Sequence, residues 1–298
     1  MSIKYGAGSR PYYVIRSADQ RPGNVFPEGR PRVNRKVLIV AVEMFAVFQI
    51  WGKPEEVYDG LPFKACRYGA AHNPDGKAED RNNPDCSGFD TYKPEPDDSD
   101  CCEPDPGDII VIRSGPGIRA AAEAAELAIS HFHADSLWNV GVAGGLSPEI
   151  RVGDICLVDR VMQWDAGGTC PWGLKNIKNV IELKKGRDAL ILADKSESTI
   201  GDAADNGPGI LQGISCASGD SVVSLKEDRL ALHRKTGASI VDMEGVAVAA
   251  AADRAGIPCF MIKGVSDDIN TPESELTDSF RQTALKTFET ACRLMRNA

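Results

Sequence analysis

Seven short apolar runs, separated by glycine-rich turns and alanine-rich helical stretches, limit the folds open to this chain. They are "KVLIVAV" (36–42), "DIIVIRS" (108–114), "SLWNVGV" (136–142), "GDICLVDRVMQ" (153–163), "ILQGISCAS" (210–218), "SIVDM" (239–243) and "CFMIKGVS" (259–266). After its lysine the first run is apolar at every position, the pattern of a strand buried on both faces. Helical stretches stand between the runs. "GPGIRAAAEAAELAISHF" is a loop opening into an Ala-rich helix, residues 226–236 form a second, and 245–255 a third that Gly256 and Pro258 stop. In the last segment Phe280, Ala284, Phe288, Cys292 and Met295 recur at helical spacing. Strands alternating with helices predict an α/β domain with a largely parallel sheet and helices on both faces.

Two stretches stand outside this alternation. Residues 1–34, rich in Gly, Pro and Arg, read as an arm on the surface or on a neighbouring subunit. Residues 66–107, rich in Pro, Gly, Asp and Cys, read as an insertion, a candidate lid over one end of a ligand. Cys66, Cys86, Cys101 and Cys102 fall in it at a spacing that fits no zinc module, so free thiols are expected. The net charge of −9 argues against a nucleic-acid or membrane-surface partner. No apolar run approaches the ~20 residues of a membrane helix, and the N-terminus lacks the apolar stretch of a secretory signal. A cytoplasmic location is expected.

In an α/β sheet, ligands bind beyond the carboxyl ends of the strands. "GVAGGL" (141–146), "SGDSVV" (218–223), "VDMEG" (241–245) and "KGVSDD" (263–268) all end strands on this reading, and three of them carry acids. An acid there is often only the N-cap of the next helix. A dinucleotide-type reading of "SGPGIRA" fails, because Asp135 precedes a strand instead of ending one.

Taken in order, "SGPGIRAAAEAA", "NVGVAGGLSPEIRVGDICLVDRVMQWDAG", "SGDSVV", "VDMEGVAVAAAADRAGIP" and "KGVSDD" resemble the nucleoside phosphorylase and nucleosidase superfamily. They look most like its methylthioadenosine/S-adenosylhomocysteine nucleosidase branch. The resemblance covers about 35–50 and 107–297. It implies a single α/β domain (35–298) around a central mixed, largely parallel sheet flanked by helices, and cleavage of a ribosyl–purine N-glycosidic bond. No metal or organic cofactor is implied. The implied partner is a small-molecule nucleoside, and a homo-oligomer (dimer, trimer or hexamer) is expected.

Carried over by position, Glu244 would hold the ribose hydroxyls, Met243 would pack against sugar and base, and Asp267 would donate a proton to the departing purine. Gly141, Val142, Ala143, Gly144 and Gly145 would shape the base pocket. Ser218, Gly219, Asp220, Val222 and Val223 would line its rim, with Ser266 beside Asp267. The chemistry requires two different acids. Breaking C1′–N9 leaves an oxocarbenium-like sugar, which an ionised Glu244 stabilises. It also leaves a purine anion, which a protonated Asp267 neutralises. Asp242 is given a supporting role.

Phosphorylases of this superfamily carry a glycine- and arginine-bearing loop after the first strand, whereas here that strand ends "VAVEMFAVF", so hydrolysis is favoured. A phosphorylase using Arg119 or Arg281, or a nucleoside-binding protein without catalysis, are the alternatives. The resemblance also exposes departures. The glutamate that orients water in nucleosidases falls on Ala46, and a shifted turn would be needed to bring Glu43 into its place. Val142 stands for a small hydroxyl residue, and Val222 and Val223 stand where an aromatic stacks on the base. Arg281 would assist Asp267.

Overall fold

The computed structural model of the chain describes residues 35–69, 109–165, 180–183, 186, 209–275 and 279–297; the arm (1–34) and residues 70–108 lie outside them. Strand β1 (Lys36–Val40) leads into helix α1 (Met44–Trp51), followed by β2 (Glu56–Tyr58) and β3 (Lys64–Tyr68). β4 (Ile109–Arg113) and α2 (Ile118–Ser130) precede β5 (Ser136–Gly145), β6 (Ile155–Gln163), β7 (Val180–Glu182) and β8 (Ile210–Ser218). The remainder runs α3 (Lys226–Thr236), β9 (Ile240–Asp242), α4 (Gly245–Ala255), β10 (Cys259–Asp267), a 3-10 turn (Glu273–Glu275) and α5 (Phe280–Asn297).

The strands form one mixed sheet in the order β10-β6-β8-β9-β5-β1-β4-β3-β2, with β7 on β6. β4, β1, β5 and β10 make one set of parallel pairings, and β6, β8 and β9 another. Antiparallel pairings of β10 with β6 and of β5 with β9 join the two sets and close β10, β6, β8, β9 and β5 into a ring.

The apolar runs are explained by what covers the two faces. Val37 and Ile39 of β1 enter a core with Ile110, Ile112, Leu137 and the alanines of α2 and α4. Leu38 and Val40 point the other way, into a second core with Trp138, Val140, Phe260 and residues of α1 and α5. Because both faces are covered, an apolar side chain is favoured at every position of the strand. Every residue of α4 from Gly245 to Ala252 is buried, and its small side chains allow close packing against Ala121, Ala124, Ala125 and Ala128 of α2.

The structure moves one boundary. The insertion does not begin at residue 66, since Lys64–Tyr68 pairs antiparallel with β4 and buries Ala65, Cys66 and Tyr68. Short strands flanked by Gly and Pro do not show in composition. Cys66, Cys156, Cys216, Cys259 and Cys292 are free and buried, whereas Cys86, Cys101 and Cys102 lie outside the described residues. Burial pushes the thiols of Cys66, Cys156 and Cys259 up to about 12, which disfavours a reactive thiolate. Among the described residues, no helix is long and apolar enough to cross a membrane.

Candidate active site

The strand ends singled out from the sequence meet where the two parallel sets join. Register sets Ser218 of β8 beside Asp242 of β9, Val241 beside Gly144 of β5, and Gly144 beside Asp267 of β10. Three groups of side chains and backbone donors fill this junction.

The first group centres on a buried lysine. Lys263 Nζ lies 2.9 Å from Asp242 Oδ2, and both side chains are nearly inaccessible. Asp242 also accepts bonds from Ser218 Oγ (2.6 Å) and from the Gly245 N–H at the start of α4 (3.0 Å). Ser218 Oγ in turn accepts the Val246 N–H at 3.0 Å. Capping of α4 therefore falls to Asp242 and Ser218. Glu244 holds the N-cap position yet makes no side-chain cap bond. Its carboxylate turns instead to the opening of α2, where Oε1 accepts the Gly117 N–H at 3.1 Å. Gly117 has φ 104°, a conformation open to glycine, and this aims its N–H at the acid. Next to it, Asp220 Oδ1 accepts the Ile118 N–H at 2.7 Å, so two carboxylates occupy the N-terminus of α2.

Glu43 joins this group. Its Oε2 accepts the N–H groups of Ala41 (3.1 Å) and Val42 (2.9 Å), and Oε1 reaches the Val142 N–H on β5 at 3.1 Å. A Cβ at residue 141 would stand 2.5 Å from Glu43 Oε1, so glycine there is what admits the carboxylate. Ala46, by contrast, is fully buried in the core beneath α1. The turn after β1 thus presents Glu43, not residue 46, to β5.

Charge within the group is unbalanced, with three carboxylates around one ammonium. Glu244 is pushed up to about 7: burial raises it most, the Lys263 ammonium pulls it down, Asp242 and Glu43 raise it, and the Gly117 N–H favours ionisation. For Lys263, burial alone would lower the pKa, but the carboxylates of Asp242, Glu244 and Glu43 hold it above the ordinary lysine range.

The second group is an ion pair. Asp267 Oδ2 pairs with Nη2 of Arg229 from α3, a side chain only 2% exposed against 14% for the aspartate. Asp267 Oδ1 accepts the Ser266 hydroxyl at 2.7 Å. Arg281, expected beside Asp267, lies elsewhere: it donates to Gln49 Oε1 at 3.0 Å and sits over the Phe45 ring. From its place in the last helix its side chain reaches α1.

The third group is the rim after β8. Gly219 N–H donates to the Asp242 carbonyl oxygen at 3.1 Å, and the Asp220 N–H to Asp165 Oδ2 at 2.7 Å. Val222 is 74% exposed, but Val223 turns inward against Leu146, Met162 and Leu232, so it packs in the core and does not line the rim. Ala143 also buries its side chain in the core. Val142 is partly buried, and its N–H is taken by Glu43. Met243 is half-buried between Asp242 and Glu244.

Lys263 and Arg229 escape the motif reading. A lone lysine in the apolar run "CFMIKGVS" is itself a signal, because a lysine is rarely buried unless paired. Arg229 gives none, as "KEDRLALHRKT" reads as a solvated helix.

The sequence and the fold have counterparts among known proteins. Residues 105–297 match the family model described as "Phosphorylase superfamily". The 5′-methylthioadenosine/S-adenosylhomocysteine nucleosidase of Mycobacterium tuberculosis is 31% identical over 179 residues, covering 53% of this chain and 69% of that protein. Its counterpart from Geobacillus kaustophilus is 26% identical over 179 residues, covering 59% and 74%. Among solved structures, the Helicobacter pylori 5′-methylthioadenosine/S-adenosylhomocysteine nucleosidase superposes with TM-score 0.66 at 19% identity, covering 90% of this chain and all of that one. The futalosine hydrolase of the same organism superposes with TM-score 0.64 at 18% identity, covering 89% and 99%. The two joined parallel sets of strands are therefore a shared fold, and with the family match across most of the described sheet, the chain belongs to the phosphorylase superfamily.

Proposed function

We propose that the chain is an N-ribosyl hydrolase that releases the base from a purine nucleoside or related ribosyl compound, acting in the cytoplasm as a homo-oligomer. The observation that carries this reading is Glu43 against Gly141 and Val142, within the field of Glu244 and Lys263. A carboxylate has about four lone-pair positions. Three of those on Glu43 accept backbone N–H groups, which leaves one for water.

In the proposed reaction Glu244 works ionised. It grips the ribose hydroxyls, and its hydrogen bonds strengthen as positive charge develops at C1′. Lys263 keeps that ionised form within reach. The C1′–N9 bond breaks with its electron pair going to the purine, and Asp267 delivers a proton to N7. Water held by Glu43 adds to C1′ and gives Glu43 the proton it loses. Met243 and the rim at Val222 bound the base. The named relatives make a purine ribonucleoside, with or without a 5′-substituent, the substrate class to examine first.

Phosphorolysis is disfavoured by charge. Arg119 pairs with Glu123 on an exposed face of α2, and Arg281 with Gln49. The N-terminus of α2, which would attract a phosphate dianion, is occupied by the carboxylates of Glu244 and Asp220.

The test is base release from adenosine, inosine and 5′-methylthioadenosine with and without inorganic phosphate. Free sugar formed at the same rate in both is expected. Release that requires phosphate and yields ribose 1-phosphate, or binding without release, would contradict the proposal.

A further inference from the structure

We propose that Arg229 is a positioning residue for proton donation. On this view its guanidinium fixes the Asp267 carboxyl and stabilises the carboxylate left when the proton has moved to the base. The inference rests on Asp267 being the donor in the proposed reaction.

Arg229 stands out on its own helix. In α3 only it and Leu232 are buried, while the acidic first turn and basic last turn face outward. Taking a guanidinium out of water is costly unless a partner repays it. The partners are all at the ends of β5 and β10. Nη2 pairs with Asp267 Oδ2, and Nη1 donates to the carbonyl oxygens of Gly145 (3.1 Å) and Asp267 (3.3 Å). Arg229 Nε is buried with no hydrogen-bond partner among the described residues, so the side chain is aimed by Asp267 and not by full satisfaction of its donors. With Ser266 Oγ on the other oxygen, both oxygens of Asp267 are held.

The chemistry gives this arrangement a use. A proton that Asp267 takes up from solvent as the nucleoside binds passes to N7 while the C1′–N9 electron pair moves onto the purine, so negative charge reappears on the aspartate and its ion pair with Arg229 is restored. A guanidinium already in contact stabilises that charge more in the transition state than in the complex before it, and only such differential stabilisation raises the rate. The proton lost by the added water returns to Asp267 through solvent, so one water is consumed and no other reagent is needed.

The role is read by comparing leaving groups in the full chain. Adenosine and 5′-methylthioadenosine need a proton on the departing ring, whereas 4-nitrophenyl β-D-ribofuranoside releases a nitrophenolate that does not. For Arg229→Gln we expect kcat on the nucleosides to fall by about 10²–10³, the scale of one preorganised charge-stabilising donor, and by less than about tenfold on the nitrophenyl riboside. Arg229→Lys should recover part of the nucleoside loss. Equal losses on both kinds of substrate, in protein with wild-type circular dichroism and thermal unfolding, would overturn the inference, as would no loss on the nucleosides. Should Arg229→Gln not fold, Arg229→Lys carries the same comparison: a loss confined to the nucleosides is expected, and parity overturns the inference. If the wild-type chain cleaved no nucleoside, the proposed function itself would fail. If it cleaves nucleosides while the Arg229 variants show parity, only the role of Arg229 fails.

Discussion

On the proposed sugar side, Glu43, Asp242, Glu244 and Lys263 come from the turn after β1, the β9–α4 junction and the middle of β10, and all four are buried. On the proposed base side stand one ion pair, between a buried arginine and a partly buried aspartate, and a rim whose Val222 is 74% exposed. The first is a network in which most lone pairs and donors are already committed to backbone or to one another. The second relies on a single guanidinium and leaves its apolar surface uncovered. A network of buried carboxylates can stabilise a developing cation only if enough of it stays ionised, and the Lys263 ammonium and the Gly117 N–H both favour the ionised form of Glu244. A proton donor has the opposite need, since its charge must appear during the reaction. In the proposed reaction each of the two opposite charges would thus meet its own counter-ion.

The sharpest way to break this comparison is Asp267→Asn, which removes the proton donor while keeping the side chain's shape. Turnover of a purine nucleoside should fall by about 10⁴, the upper end for loss of a general acid, with substrate affinity largely kept. Near-normal turnover would remove Asp267 from the role. Glu244→Gln comes next, with a fall in kcat of about 10²–10³.

The wild-type pH profile then sharpens the sugar side. In the proposed reaction Glu244 works ionised; it is pushed up to about 7, so its contribution should be present above that pH and lost as pH falls through it. Lys263→Met removes the charge that pulls Glu244 down, so the acid limb of kcat should move to higher pH. That variant should also lose about 3–5 kcal/mol of stability, because Asp242 is left buried and unpaired; denaturant titration measures this. The smallest effect belongs to Arg281→Ala. With its guanidinium on Gln49 and Phe45, kcat/KM should change by no more than about twofold.

Sequence legibility follows the same division. Helices 226–236 and 245–255 are read with their boundaries, because the glycines that stop them, Gly237 and Gly256, and the alanine run of the second are local signals. β2 and β3 escape, as three- and five-residue strands beside Gly and Pro carry too little periodicity. The acids at the strand ends are visible because acids are rare next to apolar runs. Which acid caps α4 is not visible: sequence position favours Glu244, whereas the fold gives the cap to Asp242 and sends Glu244 across to Gly117. Glu43 depends on the space that the glycine at 141, nearly a hundred residues away, leaves for its carboxylate. Arg229 depends on which face of a polar helix meets β5 and β10, and only tertiary packing determines that.

The division between sugar and base is tested most directly by giving Glu244→Gln and Asp267→Asn the same two substrates, adenosine and 4-nitrophenyl β-D-ribofuranoside. Glu244→Gln should lose activity on both, because both reactions build positive charge on the ribose. Asp267→Asn should lose activity on adenosine and far less on the nitrophenyl riboside, whose leaving group needs no proton. Parallel losses in the two variants would contradict the account.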